Sequence, residues 1–173
     1  MTPVAPPALK RLVVASGNPG KLAEIRALLS PLEITVVSQG ELGIPEAGEP
    51  HFTFLENALA KARHASRLSD LPALADDSGI CVDALGGEPG VNSAYFAGRQ
   101  GTREERDARN NAKLLAAMGG QSVKTAHYAC VMVLVRRASD PQPLVAEGNW
   151  QGEITNRPRG ANGFGYDPLF LLP

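Results

Sequence analysis

Ser16-Gly17-Asn18-Pro19-Gly20-Lys21 lies between an apolar run and a helical pattern. A turn in that place aims backbone N–H groups and the positive end of the helix at an anion, and Lys21 adds a full cation. The glycine spacing is too short for a Walker A loop, and Leu22 stands where that loop has its magnesium-holding Ser or Thr. The competing reading is a plain strand-turn-helix corner with a solvated lysine. A second stretch, Asp76-Asp77-Ser78-Gly79, stands at the end of an expected strand. Adjacent strand residues face opposite ways, so the two carboxylates should not share one site. One of them is enough to hold Mg²⁺, which takes one or two carboxylates and fills its shell with water and phosphate oxygens. It could equally orient an attacking water. The alternative is an Asp-Ser-Gly turn in which Asp caps backbone donors.

Two further stretches complete the set. Glu46 to Glu49 is an acidic loop that could give a second metal ligand, or only solvated carboxylates. Gly160-Ala161-Asn162-Gly163-Phe164-Gly165-Tyr166-Asp167 mixes glycines with aromatics. Glycine lets a flat ring approach backbone closely, a nucleobase could stack on the aromatic, and Asp167 could accept its N–H groups. Equally, Phe164 or Tyr166 could be core residues of a tight loop. His64 sits among alanines and arginines and reads as a surface or edge histidine; no Ser-His-Asp or Cys-His set can be inferred.

The elements that must carry these stretches follow from periodicity. Residues 12–15 form a short apolar run suited to a buried strand. Leu22, Ile25, Leu28 and Leu29 recur at helical spacing until Pro31. Residues 34–37 read as a second strand, and 38–52 as a loop. Thr53 with Glu56, and Thr102 with Glu105, predict capping boxes that open helices to about Ser69 and Met118. Residues 73–75 and 80–82 predict two short strands on either side of the Asp-Asp-Ser-Gly stretch. A strand over 125–137, a turn at Asp140-Pro141 and a returning strand over 143–150 predict a hairpin, and 156–168 a loop. Residues 1–9 read as a frayed arm. The order is β-α-β-α-β-β-α-β-β, which implies a mixed sheet with helices packed against it.

The whole chain sets limits on function. It has 173 residues, enough for one domain of at most two lobes. The 17 Lys plus Arg against 18 Asp plus Glu leave no basic surplus for a nucleic acid polymer, although a small anionic ligand needs only a few cations. Cys81 and Cys130 with three histidines show no metal-ligand spacing, and read as buried thiols. There is no apolar run of the roughly 20 residues a membrane span needs, and the N-terminus does not read as a signal peptide. The expected compartment is the cytoplasm, with no membrane partner.

SGNPGK, TFLENALAKA, ADDSGICVDALGGEPGV and GFGYDPLF occur in the order found in the RdgB/Ham1/ITPase family, which this chain resembles from Leu12 to Pro173. Four separated motifs in order are far more specific than any one of them. The resemblance implies hydrolysis of non-standard purine nucleoside triphosphates (ITP, dITP, XTP) to monophosphate and pyrophosphate, with Mg²⁺, by a homodimer. It implies an elongated mixed α/β fold of two lobes with a central cleft. Ser16, Gly17, Asn18, Pro19, Gly20 and Lys21 would cradle the triphosphate. Asp77 would be the catalytic carboxylate, holding magnesium and activating water, with Lys21 beside it in the catalytic set. Ser78 would contact substrate, and Phe164, Gly165, Tyr166 and Asp167 would form part of the nucleoside pocket. Glu49, just before the TF of TFLENA, would be the second acidic contact to the metal.

The chain departs from the family pattern in two places. The pattern runs on past GFGYDP into a helical tail bearing a lysine and a Ser-His-Arg motif, whereas the sequence ends at Pro173. Either the protein continues beyond Pro173, or base selection, in which a 6-oxo purine is read by donors, is weakened or done differently. Asn92 and Tyr95 stand where the family often has Tyr and Arg, which puts a substrate or dimer contact from that loop in question. A Maf-like nucleotide pyrophosphatase and a nucleotide-binding module without turnover are the competing expectations. Action on pyrimidine substrates would mark the first, and binding without pyrophosphate release the second.

Overall fold

A computed structural model describes residues 9–160 and 163–172. The N-terminal arm up to residue 8, Ala161, Asn162 and Pro173 lie outside the described residues. The strands are β1 (Arg11–Val14), β2 (Thr35–Ser38), β3 (Ala73–Val82), β4 (Thr125–Val135), β5 (Leu144–Ile154) and β6 (Phe170–Leu171). The helices are α1 (Pro19–Leu29), α2 (Phe54–Ser69) and α3 (Arg103–Ala117). Among the described residues the strands form one sheet in the order β2-β1-β3-β4-β5-β6. β1 runs parallel to both β2 and β3, and β5 antiparallel to β6, so the sheet is mixed as expected.

The chain divides into two compact units. The first holds the described residues up to Asp76 together with Met132–Ala146, and the second holds Asp77–Val131 and the described residues from Glu147. The first unit packs Leu12 and Val14 of β1, Ile25 of α1 and Leu74 of β3 into one apolar cluster. Ala58, Ala62 and Ala65 of α2 are fully buried, and their small side chains let that helix approach β1 closely. The second unit packs Ile80, Val82, Leu114, Met118, Ile154, Tyr166 and Leu169 together.

Local sequence explains the helix boundaries. Asn18 is the N-cap of α1, its side-chain oxygen accepting from the Gly20 N–H at 3.0 Å, with Pro19 pre-set for the first helical position. Pro31 lies in a short 3₁₀ turn (Ser30–Leu32) directly after α1, so the helix stops where proline requires. Thr53 caps α2 by accepting from the Glu56 N–H, and its hydroxyl donates to the Glu56 carboxylate at 2.7 Å. That is a side-chain variant of the expected box. At α3 the box is complete: Glu105 N–H donates to Thr102 Oγ1 and Thr102 N–H donates to Glu105 Oε2 at 2.8 Å.

Two expectations are corrected. The predicted strands over 73–75 and 80–82 are one ten-residue strand, and Asp76-Asp77-Ser78-Gly79 lies inside it. Asp, Ser and Gly disfavour strands locally, but β3 is buried over most of its length, and that tertiary setting overrides the preference. The stretch read as a loop over 156–168 ends in a 3₁₀ turn (Asp167–Leu169), which leads into the short edge strand β6. Two residues carry no period, so periodicity had nothing to detect. Cys81 and Cys130 are only partly buried. Burial, with the Asp83 charge as the smaller cause, pushes the Cys81 thiol up and keeps it protonated.

Candidate functional site

In the first unit the turn after β1 is built by three neighbouring contacts. Ala15 N–H donates to the Leu74 carbonyl at 2.8 Å, which carries the β1–β3 ladder to the edge of the turn. Ser16 Oγ then accepts from Asn18 N–H at 3.2 Å, and Asn18 in turn caps α1. The turn therefore sits at the carboxyl end of a parallel strand and opens a helix, the usual place for ligands in parallel sheets. Ser16, Gly17, Asn18 and Pro19 line a cleft of about 280 Å³ together with Leu22, Ser38, Gln39, Gly40, Ile44 and Glu46. A methyl group at Gly17 would overlap Glu46 Oε1, so a side chain there would require the Glu46 carboxylate to shift. The backbone of the turn and a carboxylate are thus brought together along one cleft.

Lys21 lies in the first turn of α1, and its ammonium is ion-paired with Asp76. Asp76 is 7% exposed and Asp77 8%. Asp76 belongs with Lys21, and consecutive positions of a strand such as β3 point to opposite faces. Ser78 is half-buried on the same strand. Glu49 is ion-paired with Lys61 of α2 at 2.8 Å and does not line the cleft, whereas Glu46 does. Among the described residues no three His, Cys, Asp or Glu side chains converge as a metal cluster. The donors present are carboxylate oxygens, which suit a small hard cation that takes most of its shell from water and phosphate.

In the second unit the Gly163–Asp167 loop is held from several sides. Asp167 Oδ2 accepts from Phe164 N–H at 2.9 Å, and Oδ1 accepts from the Tyr128 hydroxyl at 3.0 Å. Burial first, then the nearby Asp167 charge, raises the Tyr128 phenol well above its ordinary range, so it stays a donor. Burial and the Asp107 charge do the same for Tyr166, whose hydroxyl donates to the Ser93 carbonyl at 2.8 Å. Tyr166 is 4% exposed and belongs to the core, while Phe164 is 47% exposed. The aromatic pair divides accordingly: Tyr166 anchors the loop in the core and Phe164 stays exposed. Gly163 faces the Asp167 carboxylate so closely that a methyl group would overlap it.

Sequence reasoning missed the residues of α3 that face this loop. Arg103 holds its guanidinium 4.8 Å from the Phe164 ring centroid. Asp107 accepts from Gly165 N–H at 3.0 Å, and Asn111 donates to the Gly165 carbonyl at 2.8 Å. Their spacing of four marks one helix face, a signal present in the sequence. Tyr95, noted as a departure, has Arg99 at 4.1 Å and Arg106 at 5.6 Å from its ring centroid, so cations remain at that loop.

Comparison with known proteins bears on the whole chain. Residues 12–173 match the model of the Ham1 family. A dITP/XTP pyrophosphatase of Ralstonia nicotianae is 64% identical over 95% of this chain and 82% of its own length. One from Burkholderia pseudomallei is 60% identical over 96% of this chain and 79% of its own length. A HAM1 protein structure from Coxiella burnetii superposes with a TM-score of 0.87 at 46% identity, covering 94% of this chain and 81% of that one.

Proposed function

The chain belongs to the Ham1 family and is a pyrophosphatase of non-standard purine nucleoside triphosphates, and from that premise we propose how its residues divide the work. The reaction joins a water molecule to the substrate and releases a nucleoside monophosphate and pyrophosphate. In our reading Ser16, Gly17, Asn18, Pro19 and Gly20 hold the triphosphate against the amino end of α1, and Lys21 supplies the cation. The observation that carries this reading is the cleft at the carboxyl end of β1, lined by that turn. Asp77 is the catalytic carboxylate and takes the proton of the attacking water, and Ser78 contacts the substrate. Burial inside β3 holds the Asp77 side chain in a fixed direction, which general base catalysis needs.

Mg²⁺ is the cofactor of this reading: Asp77 and Glu49 would hold it, and it would supply positive charge to offset that of the phosphates. Lys61 already fixes the Glu49 carboxylate in direction. Phe164, Gly165, Tyr166 and Asp167 form part of the nucleoside pocket. Phe164 offers the stacking face. Asp167 retains lone pairs beyond the two bonds it accepts and can take a base N–H.

Lys21→Ala tests the phosphate assignment. Loss of a charge-assisted contact should raise KM for dITP roughly 10–100-fold, with a smaller effect on kcat. Steady-state pyrophosphate release measures both constants, and unchanged values for both would remove Lys21 from the site. The reading includes a cytoplasmic homodimer. A soluble nucleotide substrate supports the compartment, and the exposed Leu144 and Trp150, on one face of β5, support the dimer. Light scattering on the eluting protein should give twice the 18.2 kDa chain mass, and a value of one chain would contradict the dimer.

A further inference from the structure

One face of α3 is spent on a single loop. Arg103, Asp107 and Asn111 stand at intervals of four residues, about one turn apart, and all three engage residues 164 and 165. Asp107 and Asn111 between them take both backbone polar groups of Gly165, the N–H at 3.0 Å and the carbonyl at 2.8 Å. Gly165 has a φ of +59°, a left-handed backbone that glycine adopts without strain, so both of its polar groups can face α3. The Asp107 carboxylate also lies 4.0 Å from Arg103 Nε, so it ties the cation over the Phe164 ring to the backbone that carries the ring. Asn111 donates its amide to both the Asp107 and the Gly165 carbonyls, which leaves its Oδ1 buried with no hydrogen-bond partner among the described residues.

We propose that Asp107 and Asn111 are positioning residues for the nucleobase, fixing the loop so that Phe164 presents its ring, with Arg103 held across that ring by Asp107. The inference rests on the reading of Phe164 to Asp167 as part of the nucleoside pocket. Neither residue touches phosphate chemistry in this account. Their effect therefore falls on binding of the base and not on the bond that breaks. The guanidinium occupies a face of Phe164 in the absence of ligand and is more than one-third exposed, so a purine can exchange with it. Its planar fork of donors then suits the O6 and N7 edge of a 6-oxo purine.

The test uses the full chain with dITP, with inorganic tripolyphosphate as a competitive inhibitor that has no base. Asp107→Ala should raise KM for dITP about tenfold, the scale of one charge-assisted hydrogen bond, with kcat within about twofold and the tripolyphosphate Ki unchanged. Asp107→Asn retains an oxygen for the Gly165 N–H and should recover most of that loss. Asn111→Ala, measured in the same way, serves if Asp107→Ala proves unstable. Phe164→Ala is run in parallel. If it raises KM while the Asp107 and Asn111 variants do not, the positioning role is wrong and the pocket stands. If KM and the tripolyphosphate Ki rise together with a lowered Tm, the α3 residues are merely structural. If Phe164→Ala leaves KM unchanged, the pocket reading falls and this inference with it.

Discussion

Asp77→Asn is expected to lower kcat for dITP about 10³-fold while leaving the fold intact. Asparagine has nearly the same shape, and strand β3 continues for several residues on either side, so the backbone has no reason to move. What is lost is the charge and the basicity. An amide cannot take a proton from water, and it is a poor ligand for a hard dication. Asp76, its neighbour, cannot replace it, because that carboxylate points to the other face of the strand and is ion-paired with Lys21. Pyrophosphate release measures turnover, and thermal melting with and without dITP reports fold and binding. Retained melting with a nucleotide-dependent shift and no turnover is the expected pattern. A near wild-type rate would remove Asp77 from the chemistry.

The second large effect concerns stability at the same strand. Gly79→Ala should destabilise the protein by about 3 kcal/mol, the upper range for forced overpacking. A methyl group at position 79 would overlap the Gly90 carbonyl oxygen and Ser93 Oγ, and would lie 3.0 Å from Ser93 Cβ. Neither neighbour can yield easily. Ser93 Oγ accepts from Ile80 N–H at 2.9 Å and donates to the Gly90 carbonyl at 2.6 Å, so moving it breaks two bonds at once. The glycine of the Asp-Asp-Ser-Gly stretch is therefore required by close approach, and not by a turn. Thermal unfolding should show a Tm lower by roughly 10 °C for a chain of this size. A Tm within a degree of wild type would mean that the segment around Gly90 shifts freely.

What the sequence made legible, and what it did not, follows from the range of the interactions involved. The turn from Ser16 to Lys21 and the Thr53 and Thr102 caps are local devices, each complete within a few residues, and the structure has all three. The Asp-Asp-Ser-Gly stretch looked like a turn because its residues favour turns, and only pairing with distant strands makes it strand. The pairing of Glu49 with Lys61, and the place of Glu46 beside Gly17, depend on how the 38–52 loop folds, which no periodicity records. Tyr166 and Phe164 are two residues apart, yet one is core and the other exposed, because a 3₁₀ turn follows and glycines on either side bend the chain. The α3 face showed its spacing in the sequence. Its target did not, since Gly165 lies 58 residues beyond Asp107.

The most direct test of the account is product analysis on the full chain. Purified protein is incubated with dITP, with and without Mg²⁺, beside dATP and dGTP. The account predicts deoxyinosine monophosphate and pyrophosphate in equal amounts, dependent on Mg²⁺, with far less from the two standard nucleotides. Release of inorganic phosphate with a nucleoside diphosphate would place the cleavage at the wrong bond and contradict it, as would a folded protein that binds dITP and releases nothing.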